Sequence, residues 1–305
     1  MKNTPQPTTS AKLPADTPLM RFTRDFFSNK IAAAGFILLL LIIMAALFAP
    51  LIAPQNPYDL QHLDILDSRL APGKTSMDGM VYRLGTDDQG RDMLSAILYG
   101  LRISVMVGVV STSIALVIGL TLGLLAGYAG GRVETLIMRI ADIQLAFPSI
   151  LIALILLALT GRGVDKIIVA LVLVQWAYYA RTARSTALIE RKKEYVEAAR
   201  ALGLSPLRIA FRHLLPNCMP PLIVVAALQV ASAISLEATL SFLGLGLPVT
   251  EPSLGLLIAN GFQYLLSGRY WISFYPGIAL LVTVVAINLV ADQLRDVLNP
   301  RLQTQ

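Results

Sequence analysis

The side chains able to do chemistry are few, and their types and spacing sort them quickly. Asp87, Asp88 and Asp92 lie in Leu84-Gly-Thr-Asp-Asp-Gln-Gly-Arg-Asp-Met-Leu-Ser95. Clustered acids raise the question of calcium, but the spacing does not match an EF-hand loop, and solvated carboxylates at a helix start are the better reading. His62, His213 and the single Cys218 exclude an internal disulfide framework and a Cys-based metal site. His213 reads as packing, not as a ligand. Gln229, Glu237 and Asn288 sit inside apolar runs. Intramembrane polar groups are solute-path candidates by default, with hydrogen bonding between helices the equal alternative. Glu197 lies in the charged, helix-prone run from Glu194 to Pro216. A carboxylate there can receive a partner's arginine.

No catalytic group emerges. The chain lacks Gly-x-x-x-x-Gly-Lys-Ser/Thr, so it does not cradle ATP phosphates by that route. It also lacks His-Glu-x-x-His and Gly-x-Ser-x-Gly. Neither is there a span with the clustered acids of a proton relay. Energy for moving a solute must come from elsewhere, which directs attention to the charged run.

The elements that position these residues are membrane spans. The 305 residues are 55% hydrophobic and 14% charged, against about 25% charged in an average soluble domain. Several apolar runs reach the length of about 20 residues that a hydrocarbon core requires. The fold class is therefore all-α, polytopic and membrane-embedded. The net charge of +6 reflects loop placement; no nucleic-acid partner is expected.

Residues 1–20 read as a disordered tail, within a cytoplasmic stretch 1–30. The run 31–53 is too long for a signal peptide and is expected as a retained first span. Residues 54–100 form an outer loop with seven Asp against four Lys or Arg. Thr86 and Gln89 make a capping box, predicting a short surface helix from about 87 to 99. Residues 101–292 form a five-helix core. Its first helix, about 101–128, carries Gly119, Gly123 and Gly127, followed by Gly131, on one face. Small residues at that spacing let membrane helices approach closely, within this chain or at a subunit interface. The next span, about 134–160, opens with Arg139 and Asp142 in pairing distance and should kink at Pro148.

Charge placement decides the fourth span, about 164–181. Were it not to cross, residues 161–217 would lie outside with ten Lys and Arg, against the positive-inside rule. The fifth span follows Pro220 and Pro221 to about 247. By helix rise Glu237 lies roughly 24 Å past Pro221, toward the outer face. The sixth runs from about 271 to 291, ahead of a cytoplasmic tail at 293–305. Six spans with both termini inside satisfy the charge rule at every loop.

Eight of the 25 Lys and Arg lie from Arg181 to Arg212, seven of them inside the cytoplasmic loop 182–217. A helix is expected up to Leu202, ended by Gly203. Ser205 caps a second helix with Pro206 at its first position, and Pro216 stops it. This helix–glycine–helix knob presents Glu197 with a small Ala198/Ala199 face for close docking. Arg200, Arg208 and Arg212 read as anchors to anionic membrane lipid.

Glu197-Ala198-Ala199, Gly203 and Leu215-Pro216 resemble the EAA motif of ABC importer permeases, with His213 where the family usually has Ile. Three further stretches are similar to the dipeptide/oligopeptide/nickel branch: 84–92, Asp142 through Ala146-Phe-Pro148, and Ser241-Phe-Leu-Gly-Leu-Gly-Leu-Pro248 followed by Pro252-Ser253. The closing 294–301 also fits, and a retained first span with a large outer loop resembles the "C"-type member. The resemblance implies a type I ABC importer permease fold in a bacterial inner membrane. It implies a second homologous permease subunit forming a heterodimer, two ATPase subunits docked on the EAA loop, and an extracytoplasmic solute-binding protein. It further implies that this chain binds no cofactor, ATP and Mg being held by the partner subunits. The cargo would be a di- or oligopeptide or a related solute such as a nickel chelate. An autonomous secondary transporter or channel is the alternative, distinguished by flux through this chain alone without ATP.

Overall fold

The computed structural model describes residues 17–59, 63–76 and 79–298. Most of the expected disordered tail, His62 and residues 299–305 lie outside these. Helix α1 (Pro18–Ser28) is set by Thr17, whose hydroxyl accepts from the Met20 amide. Asn29 then caps α2 (Lys30–Leu47), accepting from the Ile31 amide at 3.0 Å, and a short α3 (Ala49–Ile52) completes the first span. The stretch before the first span is thus partly helical. Phe26 and Phe27 of α1 turn their rings onto Phe36 of α2.

The segment between the first two spans is a compact cap. It contains a turn at Ile65–Asp67 and a hairpin of β1 (Lys74–Thr75) and β2 (Val81–Tyr82), paired antiparallel with Lys74 opposite Tyr82. The expected separate helix at 87–99 does not form. Thr86 is no cap: its hydroxyl donates to the Asp67 carbonyl oxygen at 2.5 Å and accepts from the Leu70 amide at 2.7 Å. Asp92 is the cap, accepting from the Ser95 amide and hydroxyl at 2.8 and 2.6 Å. The helix it starts, α4 (Met93–Ala129), runs unbroken for 37 residues, roughly 55 Å. No helix breaker separates the surface turn from the second span; Gly100 is accommodated because Leu254 and Pro252 pack against it. Asp87 and Asp92 are buried, not solvated. Asp87 accepts from the Arg91 guanidinium at 2.6 Å and from the Gln89 and Arg91 amides.

Beyond α4 come α5 (Gly131–Ala146), α6 (Ser149–Thr160) and α7 (Val164–Glu190). Pro148 does more than kink its span: α5 and α6 meet at 91°. Asp142 pairs not with Arg139 but with Arg181 of α7 at 2.6 Å, and Glu134 pairs with Arg184. The chain continues through α8 (Glu194–Ala201), α9 (Pro206–Ile209), α10 (Leu215–Phe242), α11 (Leu254–Phe262) and α12 (Trp271–Leu298). Helix α11 lies in the connection between the expected fifth and sixth spans.

Four described helical stretches are long and apolar enough to cross a membrane, or five if the bent α5–α6 pair is one span. Helix α7 is not among them, since Gln175, Arg181 and Arg184 dilute its apolar character. It is instead the element against which α4 packs. An added Cβ at Gly119 would stand 2.4 Å from the Trp176 carbonyl oxygen, one at Gly123 2.4 Å from that of Ala180, and one at Gly127 2.8 Å from the Ala187 Cβ. The glycine stripe therefore serves packing within this chain. Gly131 does not continue it, having nothing within 4 Å of an added Cβ.

Candidate coupling surface and solute-facing wall

The knob is built from local signals. Helix α8 ends at Ala201 with Leu202 as its C-cap, and Gly203 follows with φ +72°, the left-handed conformation that glycine adopts without strain. The Gly203 amide donates to the Arg200 carbonyl oxygen and the Leu204 amide to that of Ala199, at 2.9 and 3.1 Å. The Ser205 hydroxyl accepts from the Arg208 amide, and Pro206 takes the first turn of α9. Val196, Ala199, Ile209 and Leu214 are buried in one cluster with residues of α4 and α7. Glu197 and Ala198 are exposed. The expected Ala198/Ala199 docking face is therefore split, because the helical turn sends Ala199 inward.

The surface left outside includes large apolar side chains among the charged ones. Leu202, Leu207 and Phe211 are 80%, 72% and 63% exposed, three large side chains at successive turns of the knob. Among the arginines expected as lipid anchors, Arg200 lies over the Tyr128 ring, 5.9 Å from its centre. His213 is half-buried with its ring 6.3 Å from that of Tyr195.

Two connections tie the knob to the bundle. The first is a strut across residues 191–193, where α7 breaks. Glu190 receives the Lys193 ammonium and the Tyr195 hydroxyl, both at 2.7 Å, and Asn217 donates to the Tyr195 oxygen at 3.2 Å. Burial raises the Glu190 pKa, but the bonds from Lys193 and Tyr195 outweigh it and hold the carboxyl below its usual range. Burial, and then Glu190, push the Tyr195 phenol up to about 12. Tyr195 thus remains the donor at any physiological pH.

The second connection is continuity. Pro216 does not stop the helix. It stands in the first turn of α10, and the preceding Ala210–Leu214 forms a π-helical turn in which the Leu215 amide reaches the Ala210 carbonyl. The wider turn accommodates a residue that cannot donate to the carbonyl four positions back. Leu215 is half-buried and Pro216 exposed. The helix is continuous from Pro206 to Phe242.

Residues 119–304 match the family of binding-protein-dependent transport system inner membrane components, and residues 17–72 match the N-terminal transmembrane domain of oligopeptide transport permease C. The chain belongs to this family of ABC transporter permeases. This permease is 41% identical over 298 residues to the di/tripeptide transport system permease protein DppC of Pseudomonas aeruginosa strain UCBPP-PA14, covering 97% of each chain. It is 40% identical over 295 residues to the dipeptide transport system permease protein DppC of Escherichia coli K12, covering 96% of each. Its fold is similar to a chain of the inward-facing MetNI methionine ABC transporter, with a TM-score of 0.56 and 22% identity over 68% of this chain and 98% of that one. The permease is a multi-pass inner-membrane protein with the type I importer fold.

Within its membrane portion, the three polar residues singled out by sequence separate. Glu237 is fully buried. Its two carboxylate oxygens accept from Ser104 of α4 at 2.9 Å and from Ser241 at 2.8 Å, so it joins helices and does not face a path. Asn288 of α12 lines an open groove of about 370 Å³ with Ser232, Ser235 and Thr239 of α10. Gln229 is half-buried three residues before Ser232, and its backbone carbonyl accepts from Gln175 at 3.0 Å. Sequence reasoning missed Ser232, Ser235 and Thr239. Their i, i+3, i+7 spacing, continued from Gln229, was the available signal.

Proposed function

We propose that this permease forms half of the translocation pathway of an ATP-driven importer for di- or oligopeptides, coupled to ATPase subunits through the loop at 194–216. The observation that carries the reading is the knob: exposed Leu207 and Phe211 lie on a helix that continues into the membrane as α10, with exposed Glu197 and Leu202 on the preceding α8 and its cap. Large apolar side chains in one exposed patch mark a protein interface. Continuity with α10 means that a push on the patch moves a span as a rigid element. A peptide cargo is supported by the di/tripeptide and dipeptide permeases that the chain is similar to; a nickel chelate is the alternative cargo.

In this reading Glu197, Ala198, Ala199, Gly203, Leu215 and Pro216 form the coupling element. Two ATPase subunits hold ATP and Mg, a second homologous permease completes the path, and an extracytoplasmic binding protein delivers solute. Six crossings with both termini in the cytoplasm complete it. The contact of Asn29 and Asp25 with Gln293, at 3.1 Å each, supports termini on one side. The test is to measure uptake and ATP hydrolysis in the assembled transporter carrying Glu197→Ala or Gly203→Val. Insertion should be retained while hydrolysis no longer drives uptake; normal uptake in both variants refutes the coupling role. Flux through this chain alone without ATP would instead establish an autonomous carrier.

A further inference from the structure

We propose that the groove between α10 and α12 is a transient binding wall that holds a passing peptide by its backbone amides and does not read side-chain charge. This rests on the importer reading above and adds a site and a ligand chemistry to it.

Gln229, Ser232, Ser235 and Thr239 fall on one face of α10 by helical spacing. They extend over ten residues, roughly 15 Å, about half of a hydrocarbon core. The face is uncovered: Ser232 and Thr239 are exposed and Ser235 is half-buried. Asn288 supplies the opposite side of the groove. Its volume of about 370 Å³ falls within the range of small-ligand sites.

The hydrogen-bonding capacity of the wall is mixed and uncharged. The Ser235 and Thr239 hydroxyls donate to the carbonyls of Ala231 and Ser235, at 2.9 and 2.8 Å, and so offer acceptors outward. Among the described residues the Ser232 hydroxyl and the Asn288 amide have no partner, leaving donors and acceptors of both kinds. Lipid cannot satisfy such groups, so the face needs water or a polar occupant. No charged side chain lines the groove. Glu237, two residues before Thr239 on α10, is turned inward to Ser104 and Ser241. A peptide backbone presents one donor and one acceptor per residue. The seven-residue advance from Ser232 to Thr239, roughly 10.5 Å, spans about three residues of extended peptide.

The test uses the whole transporter with its ATPases and second permease, carrying Ser232→Cys. The native Cys218 is fully buried, so a water-soluble methanethiosulfonate reports on position 232 after assembly. Uptake is read for Ala-Ala, Ala-Lys and Ala-Glu. A negatively charged adduct should raise the Ala-Lys to Ala-Glu ratio several-fold, a positively charged adduct should invert it, and peptide present during labelling should slow the reaction. A thiol that does not react, because lipid or a packed helix covers it, overturns the proposal. So do adducts that change both peptides equally. If Ser232→Cys does not assemble, Thr239→Cys gives the same readout about two helical turns away on the same face. The importer reading is judged separately by the unsubstituted transporter: if it takes up none of the three peptides, the peptide cargo itself is wrong.

Discussion

The two ends of the helix running from Pro206 to Phe242 are built on opposite principles. At the knob end Leu207 and Phe211 face outward, largely uncovered by the described residues. At the other end Glu237, Leu240 and Ser241 are fully buried, and the carboxylate is held by hydroxyls from two helices. In the cap beyond, Asp87, Arg91 and Asp92 are also inside and bonded, although one Arg91 Nη and one Asp88 carboxylate oxygen are buried without a hydrogen-bond partner. One end is packed within the chain; the other is left exposed. The difference teaches that charge and greasiness alone do not mark function. Satisfied polar groups at the buried end maintain the fold, whereas unsatisfied apolar surface at the exposed end implies a partner.

This contrast breaks most visibly in the cap. Arg91→Ala leaves the buried Asp87 carboxylate without its cation, at a cost of roughly 3–5 kcal/mol. The expected result is loss of folded permease, read as membrane-inserted yield and thermal midpoint; an unchanged midpoint would mean that the pair is not structural. Glu237→Leu removes the acceptor of two buried hydroxyls and should cost about 1–3 kcal/mol, with Glu237→Gln milder because it still accepts. Equal damage from both would locate the requirement in charge and not in hydrogen bonding.

Tyr195→Phe deletes two bonds of the strut, the one to Glu190 and the one from Asn217, each about 1 kcal/mol or less at a half-exposed site. Fewer peptides imported per ATP hydrolysed is the expected outcome, and a full-efficiency variant would exclude the strut from force transfer. The same strut has a sign in pH. Glu190 titrates below the usual carboxylate range, so its contribution is fully present above that range and is lost as pH falls through the lowered value. Between about pH 5 and 8 coupling should therefore not respond to this group. A coupling change in that window which Glu190→Gln abolishes would contradict the assignment. At the exposed end Phe211→Asp should alter stability by no more than about 0.5 kcal/mol and yet lower ATPase association at least tenfold. If the variant unfolds instead, the two ends do not differ as described.

The knob was legible because its signals are local. A glycine in a left-handed turn, a serine cap and a proline in the first helical position act over three or four residues. The glycine stripe was equally visible as a close-packing face, but which helix it met was not, since Gly119 and Tyr179 are brought together only by folding. The apparent capping box at Thr86 failed for the same reason. Asp67, 19 residues away, takes the Thr86 hydroxyl, and Asp92 caps the helix instead. Pro216 looked like a stop because the rule for proline assumes an α-helical turn before it, and a π-turn stands there.

By itself the sequence determined the membrane class, the helix–Gly203–helix knob and the family, because hydropathy, turn chemistry and motif order are properties of neighbouring residues. Only the tertiary structure decided what each polar side chain does inside the bundle. Glu237 and Asn288 look alike in a string of apolar letters. A serine 133 residues distant buries the first in hydrogen bonds, while the second opens onto a groove. The physical reason is that a polar group in the membrane is defined by its partner, and that partner comes from another helix.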